Sequence, residues 1–268
     1  MAVPPPLTQA FDTKGWVTLP PDPQITNWLA HVTPVARTIV TDPQNAHWRR
    51  CDNTWFVGVN SLHNDRQGAV AGSGPLGGAV IDLLAQLNLP QDQFDRAQLS
   101  VIYPGYPKPH SGETPAATRF RRDRDAAHVD GLLPIGPDRH RMLREPHAFV
   151  LGLPMTQTDP GASPLVIWEG SHEVIRAALK QRLDPIPPQD WPNTDLTSAY
   201  TAARREVFAS CKRVLVHANP GEAYLMHRLA LHGVAPWQTG AKAPPEGRMI
   251  AYFRPELTGP ISTWLDLR

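Results

Sequence analysis

The stretch Asp125-Ala-Ala-His128-Val-Asp130-Gly131 places an imidazole and a carboxylate two residues apart in a short apolar segment. In an extended strand, residues two apart project to the same face. If this segment is a strand, His128 and Asp130 therefore lie side by side. An H-x-D triplet also arises by chance, and its simplest interpretation is a histidine at a strand end that is bonded to a neighbouring carboxylate. The segment alone indicates a candidate metal site without establishing one.

Short runs rich in Val, Ile, Leu and aromatic residues surround this segment, and Gly, Pro, Asp or Asn bound most of them. These runs predict strands at Trp16–Leu19, Trp55–Val59, Gln98–Tyr103, Ala126–Leu133, His147–Leu153, Leu165–Trp168, Arg213–His217, Glu222–Met226 and Arg248–Phe253. Several short strands with turn residues between them favour an antiparallel sandwich or barrel.

Helical spacing of apolar residues predicts helices from Ile25 onwards and over Leu76–Leu87, Glu173–Leu183 and Leu196–Phe208. Pro34 is expected to break or restart the first of these helices. The last two form a helical insertion at about residues 173–210 between two core strands. We expect a single domain over residues 1–268, mainly β with flanking helices.

Composition excludes several classes of function. The formal charge of +1, from 26 basic and 25 acidic residues, gives no general attraction to nucleic acid or to an anionic membrane. The two cysteines form no zinc or disulfide pattern, which fits a reducing compartment. The amino terminus lacks the charged start and apolar run of a signal peptide. We expect a cytoplasmic protein that acts on a small molecule.

A second group of residues follows much later in the chain. The turn and strand at Pro220–Met226 lead to His232, and an apolar strand then begins at Arg248. A second imidazole would complete a set of two histidines and one carboxylate, which suits non-haem Fe(II) with open coordination positions. His227 is an alternative to His232 for this role. A buried arginine such as Arg248 requires an anionic partner, and a carboxylate pairs with it through two hydrogen bonds.

Four pieces in this order carry a resemblance to a known family. They are Gly15-Trp-Val-Thr-Leu19, the H-x-D segment, Pro164-Leu-Val-Ile-Trp-Glu-Gly-Ser-His172, and the series Pro220-Gly-Glu, His232-Gly and Arg248. Over most of its length the chain resembles the phytanoyl-CoA dioxygenase-like branch of the Fe(II)- and 2-oxoglutarate-dependent oxygenases.

The resemblance implies a double-stranded β-helix (jelly roll) and a set of site residues. His128, Asp130 and His232 would bind Fe(II) and form the catalytic centre. Arg248 would bind the far carboxylate of 2-oxoglutarate, and Ser100 and Tyr103 are further candidates to contact this co-substrate. O₂ would be the oxidant, and succinate and CO₂ would be released. Related halogenases lack the carboxylate ligand, so the presence of Asp130 favours hydroxylation of a C–H bond.

Two other functions stay open at this point. One is a jelly-roll metalloenzyme, such as an isomerase or lyase, that does not use 2-oxoglutarate. Arg248 argues against it, because that chemistry needs no carboxylate clamp. The other is a non-catalytic binding protein of the same fold, against which an intact ligand set argues.

Several further residues are candidates for the substrate site. The arginines at 119–124 form either a solvated loop or a lid that holds an anionic substrate group, with Arg119, Arg121 and Arg122 as its contacts. Trp168 and Trp237 would line the same cavity or belong to the core. The segment Gly72–Gly77 matches G-x-G-x-x-G, but no hydrophobic strand precedes it, so a turn explains these glycines better than a nucleotide site.

Overall fold

The computed structural model describes residues 6–110 and 112–267. Residues 1–5, on which part of the signal-peptide expectation rests, lie outside the described residues. The same holds for positions 111 and 268, and with them for the limits of the predicted 1–268 domain. None of the helices in the described ranges is long and apolar enough to cross a membrane.

The described part of the chain contains twelve strands. They are β1 (Trp16–Leu19), β2 (Arg49–Arg50), β3 (Trp55–Gly58), β4 (Gln98–Ile102), β5 (Leu132–Ile135), β6 (His140–Leu143), β7 (Phe149–Pro154), β8 (Leu165–Trp168), β9 (Arg213–Val216), β10 (Ala223–His227), β11 (His232–Val234) and β12 (Arg248–Phe253). They form a seven-stranded sheet in the order β1-β10-β7-β12-β4-β3-β2, a three-stranded sheet in the order β11-β8-β9, and the hairpin β5-β6. All the strand pairs are antiparallel.

Six α-helices flank these sheets within the same ranges. They are α1 (Leu7–Lys14), α2 (Pro23–Thr41), α3 (Ala79–Gln86), α4 (Pro115–Asp123), α5 (Ser171–Leu183) and α6 (Thr197–Ser210). Short 3₁₀ helices span residues 43–48, 188–193 and 261–264.

Alternation along β12 shows how the layers form. Met249, Ala251 and Phe253 belong to a core cluster that also contains the buried faces of α2 and α3. Ile250 and Tyr252 point to the other side, where they meet residues of β7, β8 and β10. One face of the large sheet is thus covered by helices, and the other looks into the space between the two sheets.

The three-stranded sheet closes the other side of this space. Helices α5 and α6 lie between β8 and β9 in sequence, and their buried residues pack with Val166 and Trp168 of β8. They correspond to the helical insertion that the sequence predicts. The two facing antiparallel sheets with flanking helices form the predicted double-stranded β-helix.

Two local predictions on helices are wrong. Pro34 does not end α2, which continues to Thr41 because buried residues on both sides of Pro34 hold it against the large sheet. The arginine-rich segment is largely helical rather than a loop. Helix α4 begins there because Pro115 occupies a first-turn position and the Thr114 hydroxyl accepts a hydrogen bond from the Ala117 N–H.

A third local prediction is wrong at the H-x-D segment. The predicted strand Ala126–Leu133 is a strand only from Leu132, and His128 forms an isolated β-bridge. Asp125, Ala126 and Gly131 have φ values of 53°, 53° and 81°, which no extended strand accommodates. The two proposed ligands are therefore presented by a bent segment.

Candidate metal centre

His128 and His232 are joined through their backbones. The N–H of His128 donates to the carbonyl oxygen of His232 at 2.8 Å, and the N–H of His232 donates to that of His128 at 3.0 Å. The centroids of the two imidazole rings are 4.6 Å apart. A segment before the hairpin β5-β6 is thereby fixed against the first residue of β11.

Close contact between Gly233 and Asp125 makes this pairing possible. A Cβ atom on Gly233 would lie 2.1 Å from the carbonyl oxygen of Asp125, so only glycine fits there. The side chain of Asp125 is buried and accepts two hydrogen bonds from Arg213, at 2.7 and 2.8 Å. This bidentate pair holds the backbone at the entrance to the H-x-D segment.

The two imidazoles have the same orientation relative to their own backbones. The Nδ1 atom of His128 lies 2.9 Å from the carbonyl oxygen of Ala126, and that of His232 lies 2.9 Å from the carbonyl oxygen of Ala230. Because a carbonyl only accepts, each Nδ1 carries the proton and donates. Each Nε2 is then the ring nitrogen that is left to bind a metal.

Both Nε2 atoms point to the same carboxylate. The Oδ1 atom of Asp130 lies 3.2 Å from Nε2 of His128 and 3.8 Å from Nε2 of His232. Potential ligand atoms of the three residues all lie within 4.8 Å of one another. Two imidazoles and one carboxylate thus converge at one point, as the sequence predicts.

The electrostatics of this group keep the carboxylate ionised. Burial raises the pKa of Asp130, but the positive charge of Arg254 and the two imidazoles outweigh it and hold the pKa well below its usual range. Nη1 of Arg254 stands 3.6 Å from Oδ2 of Asp130. Burial lowers the pKa of His232 to about 4, so this imidazole is neutral near pH 7. Burial also lowers the pKa of His128, but the hydrogen bond and charge of Asp130 exceed this effect and raise it overall.

A cavity of about 130 Å³ opens beside the three residues, between the two sheets. Part of its wall is apolar and comes from Val57, Val150, Leu165 and Val234. Polar atoms come from Gln98, Ser100, Tyr106 and Tyr252. The side chain of His128 is 45% exposed, so the centre is reachable from one side, whereas those of Asp130 and His232 are 10% and 8% exposed.

Arg248 lies close to this cavity but does not line it. It is buried at the start of β12, and one of its terminal nitrogens, Nη1, has no hydrogen-bond partner among the described residues. Its side chain hydrogen-bonds Tyr224, whose hydroxyl donates to that of Tyr252 at 2.8 Å. Tyr252 in turn lines the cavity. The unpartnered guanidinium nitrogen is a buried donor that fits an anionic ligand.

The two candidates for contact with the co-substrate, Ser100 and Tyr103, lie in different places. Ser100 lines the cavity, where its hydroxyl accepts a hydrogen bond from Trp55 at 3.0 Å. Tyr103 packs instead against the helix-covered core. Because residues three apart on an extended segment face opposite sides, the structure does not bring Tyr103 to the cavity.

The remaining substrate candidates also lie away from the cavity wall. Arg121 pairs with the buried Glu113, and Arg122 pairs with Asp123 on the surface. Arg119 is on the same helix and is not part of the wall.

The two tryptophan candidates are not part of the wall either. Trp168 packs in the core with Phe208, at 5.3 Å between ring centroids. Trp237 packs against the cluster that contains Tyr106, and its indole N–H donates to Ala241.

The alternative ligand His227 is in a different environment. Its Nε2 is 2.9 Å from the guanidinium of Arg176, and its Nδ1 accepts a hydrogen bond from the Leu229 N–H. His172, which opens α5, lies beside it and contacts the carbonyl oxygen of Asp12. Of His227 and His232, only His232 is next to Asp130.

Sequence reasoning missed most of the residues that line the cavity, among them Arg254, Asp125 and Tyr106. Arg254 continues the inward alternation of Ile250 and Tyr252 beyond the end of β12, so the two-residue period contained a signal for it. Asp125 and Tyr106 had no such signal. The Tyr106 hydroxyl is buried and has no hydrogen-bond partner among the described residues.

Comparison with known proteins gives a structural likeness only. No family model matches the sequence, and no curated protein matches it. The epimerase SnoN, solved in complex with Fe3+, alpha ketoglutarate and nogalamycin RO, is 13% identical with a TM-score of 0.51, covering 93% of this chain and 82% of SnoN. EctD from S. alaskensis with 2-oxoglutarate and 5-hydroxyectoine is 16% identical, with a TM-score of 0.45, and covers 95% of this chain and 78% of EctD. At these identities the likeness to SnoN shows the fold alone.

Proposed function

We propose that the protein is an Fe(II)- and 2-oxoglutarate-dependent oxygenase in which His128, Asp130 and His232 bind the iron. The convergence of two Nε2 atoms on one Asp130 oxygen carries this proposal. Two histidines and one carboxylate with open positions are the ligand set of non-haem Fe(II) oxygenases. Neutral His232 and ionised Asp130 are in the protonation states that a cation requires.

Arg248 is the residue that argues for 2-oxoglutarate as the co-substrate. Its buried guanidinium has an unpartnered Nη1 atom and is linked to the cavity through Tyr224 and the wall residue Tyr252. A dicarboxylate that reaches this nitrogen would satisfy it through a charge-assisted hydrogen bond. Ser100, on the cavity wall, offers a hydroxyl to the same ligand.

When bound, iron and 2-oxoglutarate supply the activation of O₂, with release of succinate and CO₂. The chain itself orients the ligands, because each imidazole is fixed through its Nδ1 proton. Arg254 keeps Asp130 ionised. The apolar wall limits the access of water to the centre. We propose hydroxylation of a C–H bond in a small organic substrate as the overall reaction.

One observation favours a second candidate. Arg248 does not line the cavity, so the centre also suits a metalloenzyme of this fold, such as an isomerase or lyase, that does not use 2-oxoglutarate. The two candidates differ in whether 2-oxoglutarate binds to the metal-loaded protein.

Anaerobic titration with Fe(II) and then 2-oxoglutarate tests the proposal, because the chelate has a weak visible charge-transfer band. We expect the band in wild type, no band in His128→Ala, and binding that is weaker by about ten-fold or more in Arg248→Ala. His31→Ala and Arg182→Ala change exposed residues of the same types and should behave like wild type. Absence of the band in folded, iron-loaded wild type would contradict the oxygenase and favour the second candidate.

A further inference from the structure

A second cavity, of about 380 Å³, adjoins the candidate metal centre. Arg254 lines both cavities and stands 3.6 Å from Asp130. The walls come from segments just after β3, before β4, before β7 and after β12. The volume of this cavity lies in the range of small-molecule sites, which is about 300–1,000 Å³.

The charged groups of this cavity are mostly carboxylates. Its titratable lining residues are Asp95, Arg96, Glu145, His147, Arg254 and Glu256. The positive charge of Arg254 acts on Asp130, at 3.6 Å, and also on Glu145 in this cavity. Within the described residues, no lysine or arginine forms a salt bridge with any of the three carboxylates. Three carboxylates and two arginines line the cavity, so negative charge is in excess and the cavity favours a cation.

His147 adds an observation that is independent of the acidic groups. It is 5% exposed, its Nε2 lies 3.2 Å from Oε2 of Glu145, and it forms a β-bridge with Glu256. Its Nδ1 atom is buried and has no hydrogen-bond partner in the described part of the chain. When Nε2 donates to the carboxylate, Nδ1 of the neutral ring is an acceptor. A buried acceptor without a donor is unfavourable, so a donor from a ligand would stabilise it.

We propose that this cavity binds a protonated amino group of the organic substrate and so orients the rest of that substrate past Arg254 towards the metal centre. The inference rests on the proposed function for the reaction at the metal. An ammonium group offers N–H donors to His147 and positive charge to Glu145 and Glu256. A hydroxyl group offers donors without the charge, and an anion is repelled by the carboxylates.

A matched pair of probes tests the amine site on metal-free protein. In 2-amino-1,3-propanediol an ammonium group replaces the central hydroxyl of glycerol, and binding of both is measured by calorimetric titration at pH 7. We expect the amine to bind at least about ten-fold more tightly than glycerol, because its hydrogen bonds to the carboxylates are charge-assisted. The preference should disappear in Glu145→Gln/Glu256→Gln.

Asp138→Asn is the matched control, because it makes the same change at an exposed residue outside the cavity and should retain the preference. The single variant Glu256→Gln, at an exposed position, serves if the double variant does not fold, and it should reduce the preference. Equal binding of both probes by wild type, or an undiminished preference in the folded variants, would overturn the amine site.

The titration with Fe(II) and 2-oxoglutarate separates this inference from the proposed function. A chelate band in wild type without amine preference contradicts the amine site and leaves the oxygenase in place. Amine preference without a chelate band supports the cavity as an amine site and contradicts the reaction assigned to the metal.

Discussion

His128 and His232 are paired twice, through two backbone hydrogen bonds of 2.8 and 3.0 Å and through side chains whose Nε2 atoms face the same oxygen of Asp130. Each ring is also fixed by a hydrogen bond from Nδ1 to the carbonyl two residues earlier. The distance between the two Nε2 atoms therefore depends on backbone pairing as much as on side-chain conformation. Changes that disturb this pairing should affect metal binding without altering any ligand.

Gly233→Ala is the most direct test of the backbone pairing. The new Cβ atom would lie 2.1 Å from the Asp125 carbonyl oxygen and would push the H-x-D segment away from β11. We expect a loss of about 1–3 kcal/mol in the free energy of unfolding, as for other overpacked sites, with metal affinity reduced by about ten-fold or more. Chemical denaturation and metal titration measure the two effects.

Gly240→Ala is the control for the Gly233 variant. Gly240 has nothing within 4 Å of an added Cβ, although its φ of 85° makes the substitution cost about 1–2 kcal/mol. It should leave metal affinity unchanged. Wild-type metal affinity in Gly233→Ala would show that the backbone contact does not position the ligands.

Arg213→Ala should destabilise the protein from outside the ligand set. The Asp125 side chain is 4% exposed and would lose its bidentate partner, whereas Arg213 itself is 42% exposed. Because water reaches the arginine side, we expect the free energy of unfolding to fall by about 2 kcal/mol. This is less than the loss of roughly 3–5 kcal/mol that is typical when one partner of a fully buried pair is removed. Urea denaturation is the measurement, and Arg205→Ala, at an exposed position on α6, should change stability little. If Arg213→Ala loses no more stability than Arg205→Ala, the Arg213–Asp125 pair does not stabilise the fold.

Metal-free protein should lose stability as the pH falls from 7 to 5. Burial, as the largest cause, lowers the pKa of His172, His227 and His232, the last to about 4. These histidines bind protons more readily when unfolded, so stability falls once the pH drops below the unfolded value of about 6.5. His128, with a raised pKa, acts in the opposite direction.

His232, with its pKa of about 4, alone accounts for a loss of about 2 kcal/mol over this range, to which His172 and His227 add and which His128 partly offsets. Urea denaturation of metal-free protein at the two pH values checks it. Equal or greater stability at pH 5 would show that the buried histidines do not dominate the pH dependence.

Metal removal should lower the melting temperature. A ligand at a hundred times its dissociation constant stabilises the folded state by about 2.7 kcal/mol. Anaerobic Fe(II) should therefore raise the Tm of chelator-treated wild type, and Asp130→Asn, which removes a charged ligand, should abolish most of that rise. Asp138→Asn, at a carboxylate that is 84% exposed, should keep it. The same Fe(II)-dependent rise in Asp130→Asn would exclude Asp130 as a ligand.

Much of the fold follows from local pattern. The predicted bounds of β1, β8 and β12 agree with the observed strands, because their apolar residues are bounded by residues that end strands. Helices α5 and α6 lie between β8 and β9 in sequence. The three ligand candidates follow from residue chemistry and order, and the structure brings them together. Iron binding by these residues stays a prediction.

The sequence by itself determined which residues carry metal-binding chemistry, and roughly where strands and helices lie, because side-chain type and apolar spacing are local properties. Only the tertiary structure decided how the H-x-D segment is bent, since that conformation depends on Gly233 and Arg213 from distant parts of the chain. It also decided that Arg254 faces Asp130 and that a second cavity adjoins the centre. These relationships arise where strand ends meet across the sheets, and spacing along one chain does not encode such distances.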